Sequence, residues 1–413
     1  MKEMLLHTPE GVRDIYDAEC KRKNKVVDLI HHVLELYSFH DISTPSFEYF
    51  DIFNMDKGSA PSNEMYKFFD RNNNTLVLRP DMTPSIARCI SKYYPDVNLP
   101  IRLCYEGNTF INSHQHQGKL NEFTQIGAEL VNDDSAAADA EIIACVIDSL
   151  LLVGLKEFQI EVGNVEYFKG LIADAGLDSD SEDKIREYIK MKNFFGLSEY
   201  VNSLNIDEDI KIAITSFDSL FGGLDMLDKA EKLCSNNRSS EAIDRMKKVY
   251  HALCRYGYEK YVSFDLSMLN RFSYYTGIVF RGYTYGTGDA IVKGGRYNNL
   301  LEKFGNAAPS VGFAIYVDDL MSAISRNKIN IEVGFSDILL LYNKDKHYEA
   351  IDIATNYRKD NVKVELVEFD CKRSLDEYCD YANKMHFKSI VVLTNEVEYY
   401  KYSGESFIKV DSI

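Results

Sequence analysis

The sequence predicts an α+β fold: an antiparallel sheet flanked by helices, interrupted by a helical insertion and followed by a small α/β domain. Three observations carry that expectation. Two strand-like stretches, Ile101–Phe110 and Glu122–Val131, are long enough to pair as one hairpin. Strand signals vanish between about residues 166 and 258, where charged helical stretches alternate with Gly- and Asn-bearing turns, and return afterwards. Beyond residue 330 the pattern becomes strand, helix, strand, helix, strand.

The elements follow in chain order. Val26, Val27, Ile30, Val33 and Leu34 recur at helical spacing between about 17 and 36, ahead of the extended Ile42-Ser43-Thr44-Pro45. Thr75–Leu78 reads as a strand, and a helix opens near Thr83-Pro84. After the hairpin, Ala136–Leu152 reads as a buried helix and Phe158–Val162 as a half-buried strand. Phe221-Gly222-Gly223 and Ser235-Asn236-Asn237 read as turns within the insertion. Strands resume at Tyr261–Leu266, Tyr275–Tyr285, Ala290–Val292 and Val311–Tyr316. The expected divisions are 1–164 and 261–328 for the two parts of the core, 165–260 for the insertion, and 332–413 for the α/β domain, with its strands at 337–342, 362–367 and 389–393.

At 413 residues, with 45% hydrophobic and 27% charged side chains, the composition is globular. A net charge of −17 opposes non-specific attraction to nucleic acid or anionic lipid. No run of 18 apolar residues and no apolar signal core occur, so a cytoplasmic chain without a membrane partner is expected. Eight scattered cysteines without a C-x-x-C pair point to reduced thiols rather than staples.

Three stretches carry chemistry. The first is Thr8–Asp14 with Leu78-Arg79-Pro80-Asp81-Met82-Thr83-Pro84. The second is the hairpin Arg102–Glu129, including Asn121-Glu122-Phe123-Thr124-Gln125-Ile126-Gly127-Ala128-Glu129. The third pairs Tyr274-Tyr275-Thr276-Gly277 with Gly294-Gly295-Arg296-Tyr297. Together they resemble the class II aminoacyl-tRNA synthetase core, in its histidyl branch, over almost the whole chain. The resemblance implies that Asp81, Thr83, Gln125 and Glu129 hold the ammonium and imidazole of histidine, and that Tyr274 and Tyr275 line the imidazole end. The chemistry suits that role, because carboxylates neutralise an ammonium and a buried imidazole needs one donor and one acceptor.

The departures from the synthetase pattern matter as much. Active members need guanidinium forks to hold a triphosphate and compensate charge as the amino-acid carboxylate attacks the α-phosphate. Here those positions fall on Ile111, Asn270 and Asp319, and the hairpin-loop pattern reads Gly118-Lys119-Leu120-Asn121, leaving one cation of two. Arg271 stands beside Asn270, but a one-residue shift in an extended segment points it to the opposite face. Adenylation is therefore expected to be undetectable. Recognition of the ligand carboxylate is expected to be weaker or to use another donor, since the positions at 111 and 270 also approach that end of the ligand in the synthetases.

A histidyl-type core with an emptied catalytic set resembles the regulatory subunits of ATP phosphoribosyltransferase, the first enzyme of histidine biosynthesis. That resemblance implies a non-catalytic homodimer within a hetero-octamer. It would bind the short-form catalytic subunit, support its activity and confer feedback inhibition by histidine, with no cofactor. The alternatives are a divergent histidyl-tRNA synthetase and a tRNA- or histidine-binding sensor. The C-terminal segment resembles a reduced anticodon-binding domain, yet its 11 basic against 16 acidic residues from 331 onward make tRNA binding an unfavoured expectation. His114 and His116, two apart in the hairpin loop, lack the further ligands a zinc site needs. Gly286-Thr287-Gly288-Asp289 reads as a β-turn rather than a phosphate loop.

Overall fold

The computed structural model describes residues 6–54, 60–112, 120–269, 275–334 and 336–413. The chain divides into two compact units, Met1–Ile331 and Glu332–Ile413.

The first unit opens with α1 (Asp17–Leu36), β1 (His40–Asp41), β2 (Phe47–Tyr49), α2 (Asp51–Asn54), β3 (Lys67–Phe69), β4 (Thr75–Leu78) and α3 (Thr83–Tyr93). Then come the hairpin strands β5 (Ile101–Phe110) and β6 (Glu122–Val131), α4 (Ala136–Leu152) and β7 (Phe158–Asn164). The next stretch holds α5 (Val165–Asp174), α6 (Ser179–Lys190), α7 (Phe194–Ser203), α8 (Glu208–Thr215), β8 (Phe221–Gly222), α9 (Leu224–Leu233) and α10 (Asn237–Tyr256). Strands β9 (Val262–Asp265), β10 (Ile278–Thr284), β11 (Val292–Arg296) and β12 (Ser310–Tyr316) lead into α11 (Val317–Arg326).

Nine strands make the main sheet, in the order β1-β5-β6-β12-β11-β10-β7-β9-β8. From β5 to β7 every pairing is antiparallel. The hairpin forms as its sequence predicts, in register from Ile101↔Val131 to Phe110↔Glu122. A small second sheet, β2-β4-β3, lies outside the expectation.

Strand alternation gives the main sheet two unlike faces. Thr124, Ile126, Ala128 and Leu130 of β6 share the face covered by α4, which the expected apolar run builds. Its N-terminus is capped by the Ser135 hydroxyl accepting from the Ala138 N–H at 3.1 Å, and its side chains from Ala138 to Leu150 are mostly fully buried. Helix α1 buries the five apolar residues its spacing marks out. The opposite face carries Gln125, Gly127 and Glu129. One end of it is covered by α3 through a core of Met82, Ile86, Ile90, Leu103, Tyr105 and Val131.

Three details differ from expectation. Phe221-Gly222 does not simply turn but pairs with β9 as a two-residue edge strand, Phe221↔Asp265. The strand expected at Ala290–Val292 instead runs through Gly294-Gly295-Arg296, where small residues let neighbouring chains close in. The strand expected from Tyr275 begins only at Ile278.

The second unit holds β13 (Ile338–Tyr342), α12 (His347–Lys359), β14 (Val364–Glu368), α13 (Leu375–Lys384), β15 (Ser389–Leu393), β16 (Val397–Tyr402) and β17 (Phe407–Val410). Its sheet runs β14-β13-β15-β16-β17, parallel among the first three strands and antiparallel after them. Leu339, Leu341, Ile390 and Val392 pack with Tyr378 and Ala382 of α13, whereas Ile338, Leu340, Val391 and Leu393 pack with Ala350 of α12. Central parallel strands covered on both faces must be continuously apolar, as these are. The expectation stopped at Leu393 and did not include β16 and β17.

Candidate functional site

The expected ligand residues converge on the open face of the sheet. Thr83, at the first turn of α3, donates its hydroxyl to Glu129 Oε1 at 2.8 Å, and Tyr297 donates to Glu129 Oε2. Glu129 is 1% exposed, and burial, with the negative charge of Asp81 adding to it, pushes its carboxyl up to about 8 against the two hydrogen bonds. Asp81 sits two residues before α3 and accepts the Met82 N–H at 2.8 Å. Gln125, one alternation from Gly127 and two from Glu129, is 2% exposed, and its Oε1 is buried without a hydrogen-bond partner. A buried carbonyl left unsatisfied costs about 1–3 kcal/mol, so it points to a donor that the protein itself does not supply.

Tyr275 joins this set. Burial raises the Tyr105 and Tyr316 hydroxyls well above the ordinary phenol range, and in both cases Asp81 and Tyr275 stand close enough to add to the effect. Five of the six predicted residues, Asp81, Thr83, Gln125, Glu129 and Tyr275, therefore share one neighbourhood. Tyr274 lies outside the described residues, as do Asn270, His114, His116, Gly118 and Lys119.

Glycines clear room on this face for the site's own side chains. Gly107, Gly127, Gly312 and Gly295 project onto the same face from four strands, by the registers Gly107↔Gln125, Gly127↔Tyr105, Gly312↔Glu129 and Gly295↔Gly312. A Cβ at Gly295 would stand 2.6 Å from the Tyr275 ring, and one at Gly127 would stand 2.7 Å from the Tyr105 hydroxyl. Absence of side chains there lets the site's own aromatic rings lie across the sheet.

The Gly-Gly-Arg-Tyr segment splits its duties by face. Tyr297 reaches Glu129, while Arg296, 1% exposed, points the other way to α4, with Nε 2.8 Å from Asp139 Oδ1 and Nη1 2.8 Å from the Asp133 carbonyl. Arg245 binds the second oxygen of Asp139 at 2.7 Å. Arg79 is likewise committed to backbone, donating to the carbonyls of Asn108 at 2.8 Å and Thr44 at 2.7 Å. Tyr105, Tyr297 and Tyr316 escaped the sequence reading; Tyr297 stood in a quoted motif, but only strand order brings it to Glu129.

At the hairpin end, where a triphosphate would need cations, the described residues offer mixed charge. Ile111 N donates to the Asn121 carbonyl at 2.8 Å, and α11 opens with Asp318 and Asp319 in its first turn. Asp318 accepts from the Thr124 N–H at 2.8 Å and pairs with Lys23 at 2.9 Å, and Arg13 pairs with Glu19 at 2.6 Å. Of these, Arg13, Lys23, Thr124 and Asp318 line, with Asp14, Asn108 and Glu122, a pocket of about 250 Å³ that holds acids as well as bases. The one cluster with metal-ligand chemistry among the described residues, His31, Asp41 and Cys104, is internally bonded: Asp41 Oδ1 lies 2.7 Å from His31 Nε2 and 3.5 Å from Cys104 Sγ.

Comparison with known proteins agrees with this geometry. Residues 11–320 match the family model for histidyl-tRNA synthetase. A histidyl-tRNA synthetase structure from Nostoc superposes with a TM-score of 0.81 over 98% of this chain and 96% of its own at 20% identity, which places the fold. The scaffold is that of a class II, histidyl-type synthetase. An ATP phosphoribosyltransferase regulatory subunit from Acetivibrio thermocellus is 40% identical over 366 residues, 89% of this chain and 88% of its own. Another from Ruminiclostridium cellulolyticum is 38% identical over 95% of this chain and 93% of its own. A structure described as an ATP phosphoribosyltransferase regulatory subunit/histidyl-tRNA synthetase from Bacillus halodurans superposes with a TM-score of 0.85 at 32% identity, over 95% and 99% of the two chains. The chain belongs to the family of ATP phosphoribosyltransferase regulatory subunits.

Proposed function

We propose that this chain is the non-catalytic regulatory subunit of an ATP phosphoribosyltransferase. It activates a short-form catalytic subunit and makes that enzyme sensitive to histidine, which binds at Asp81, Thr83, Gln125, Glu129, Tyr274 and Tyr275. The observation that carries the reading is a contrast in chemistry between two sets of positions. An unsatisfied Gln125 carbonyl beside the buried Glu129 carboxyl awaits a polar donor, while two positions expected to carry phosphate-binding cations are Ile111 and Asp319, the latter in the first turn of α11. Binding an amino acid needs the first; activating it on ATP needs cations at the second.

Inhibition then follows from linkage. Histidine must bind the inhibited arrangement of the complex more tightly than the active one, by a free energy equal to the shift it produces. A homodimer within a hetero-octamer, in the cytoplasm and without cofactor or tRNA, completes the reading. The absence of any membrane-crossing helix among the described residues is consistent with it.

Histidine-dependent exchange of pyrophosphate into ATP tests the non-catalytic half. No exchange above background is expected; robust exchange means a divergent histidyl-tRNA synthetase instead.

A further inference from the structure

A free amino acid brings a carboxylate as well as an ammonium, and the proposed pocket is rich in acid. Something must answer that negative charge where Ile111 cannot. The site's face continues beyond β6. Gly127 pairs with Ala314 of β12, and Ala314 pairs with Lys293 of β11, so Lys293 stands on the same face as Gln125 and Glu129. The line between them runs over Ala314 and Gly127, with the Tyr105 hydroxyl lying over the glycine.

The lysine is held in place. Its Nζ lies 4.7 Å over the Tyr316 ring and 3.6 Å from Asp289, with its side chain about one-third exposed. Tyr316 is the strand partner of Gln125 and packs against Phe123 with ring centroids 5.6 Å apart. The ring of Gln125's strand partner thus holds a cation on the site's face. Among the described residues, Arg79 is engaged by backbone carbonyls and Arg296 by Asp139 on the far face. Arg281 lies one strand further out, opposite Glu161.

We propose that Lys293, propped on Tyr316, pairs with the carboxylate of the bound amino acid and so determines specificity for the acid over its alcohol. This rests on the histidine reading of the pocket, and the test separates the two. Calorimetric titration of the full chain would use L-histidine and L-histidinol, which share the imidazole and ammonium but differ in the carboxylate, against wild type, Lys293→Met and Lys293→Arg. Wild type is expected to favour histidine by about 10- to 100-fold, the worth of one charge-assisted bond. Lys293→Met should lose that factor for histidine and change histidinol affinity less than about twofold, while Lys293→Arg should keep most of the preference. A preference that survives Lys293→Met overturns the assignment, as does an equal loss for both ligands, which would make the lysine merely structural. Wild type binding neither ligand would instead remove the histidine reading on which it stands.

Discussion

The Glu129 carboxyl occupies the space that Gly312 leaves open: a Cβ built at Gly312 would stand 1.7 Å from Glu129 Oε2 and 2.7 Å from the Ala128 carbonyl oxygen. The two residues are paired across β6 and β12, so the position of the pocket's buried acid depends on a hydrogen atom on the neighbouring strand.

Gly312→Ala is accordingly expected to evict the carboxyl. The overpacking should cost about 1–3 kcal/mol of stability, and histidine affinity should fall at least tenfold. Thermal melting and calorimetry measure both. Unchanged affinity in a folded variant would place the ligand away from Glu129.

Glu129 also sets a pH dependence. Its carboxyl is raised to about 8 from an unfolded value near 4.5, so the folded chain holds an extra proton between those values. The stability from that proton is complete below about 4.5 and is lost as pH climbs through about 8. Wild type should therefore lose melting temperature relative to Glu129→Gln between pH 5 and 8.5. Parallel curves for the two proteins would show that the buried carboxyl is not raised.

Neighbours Arg296 and Tyr297 should fail differently. Arg296→Met strips one partner from the fully buried Asp139, leaving Arg245, and should cost about 3 kcal/mol of stability. Tyr297→Phe removes one hydroxyl from Glu129 and should leave the fold within about 1.5 kcal/mol while weakening histidine binding. Denaturant melts and calorimetry on both variants distinguish scaffold from pocket; an interchange of the two outcomes contradicts the division by face.

What the sequence revealed and what it hid have physical reasons. Gln125 and Glu129 were legible because alternation places them on one face of a long strand, within a motif whose spacing has a chemical meaning. Tyr297 lies 168 residues from Glu129, and only the order β6-β12-β11 brings them together. Asp139 was hidden in a helix that reads as apolar, since nothing local announces a buried carboxylate with two arginines. Lys293 and Tyr316 looked like ordinary strand residues for the same reason. The two-residue β8 is defined by its partner Asp265 rather than by its own Phe221-Gly222. Strands β16 and β17, largely exposed and carrying charge, lack the apolar run that marked β13 and β15.

The most direct test combines this chain with a short-form ATP phosphoribosyltransferase catalytic subunit from the same organism and follows turnover as histidine is added. Activity is expected only with both subunits. It should be inhibited by histidine in the wild-type complex and resist histidine with Glu129→Ala or Tyr275→Ala, while assembly by size-exclusion chromatography stays intact. A catalytic subunit indifferent to this chain, or inhibition unchanged in both variants, would contradict the account.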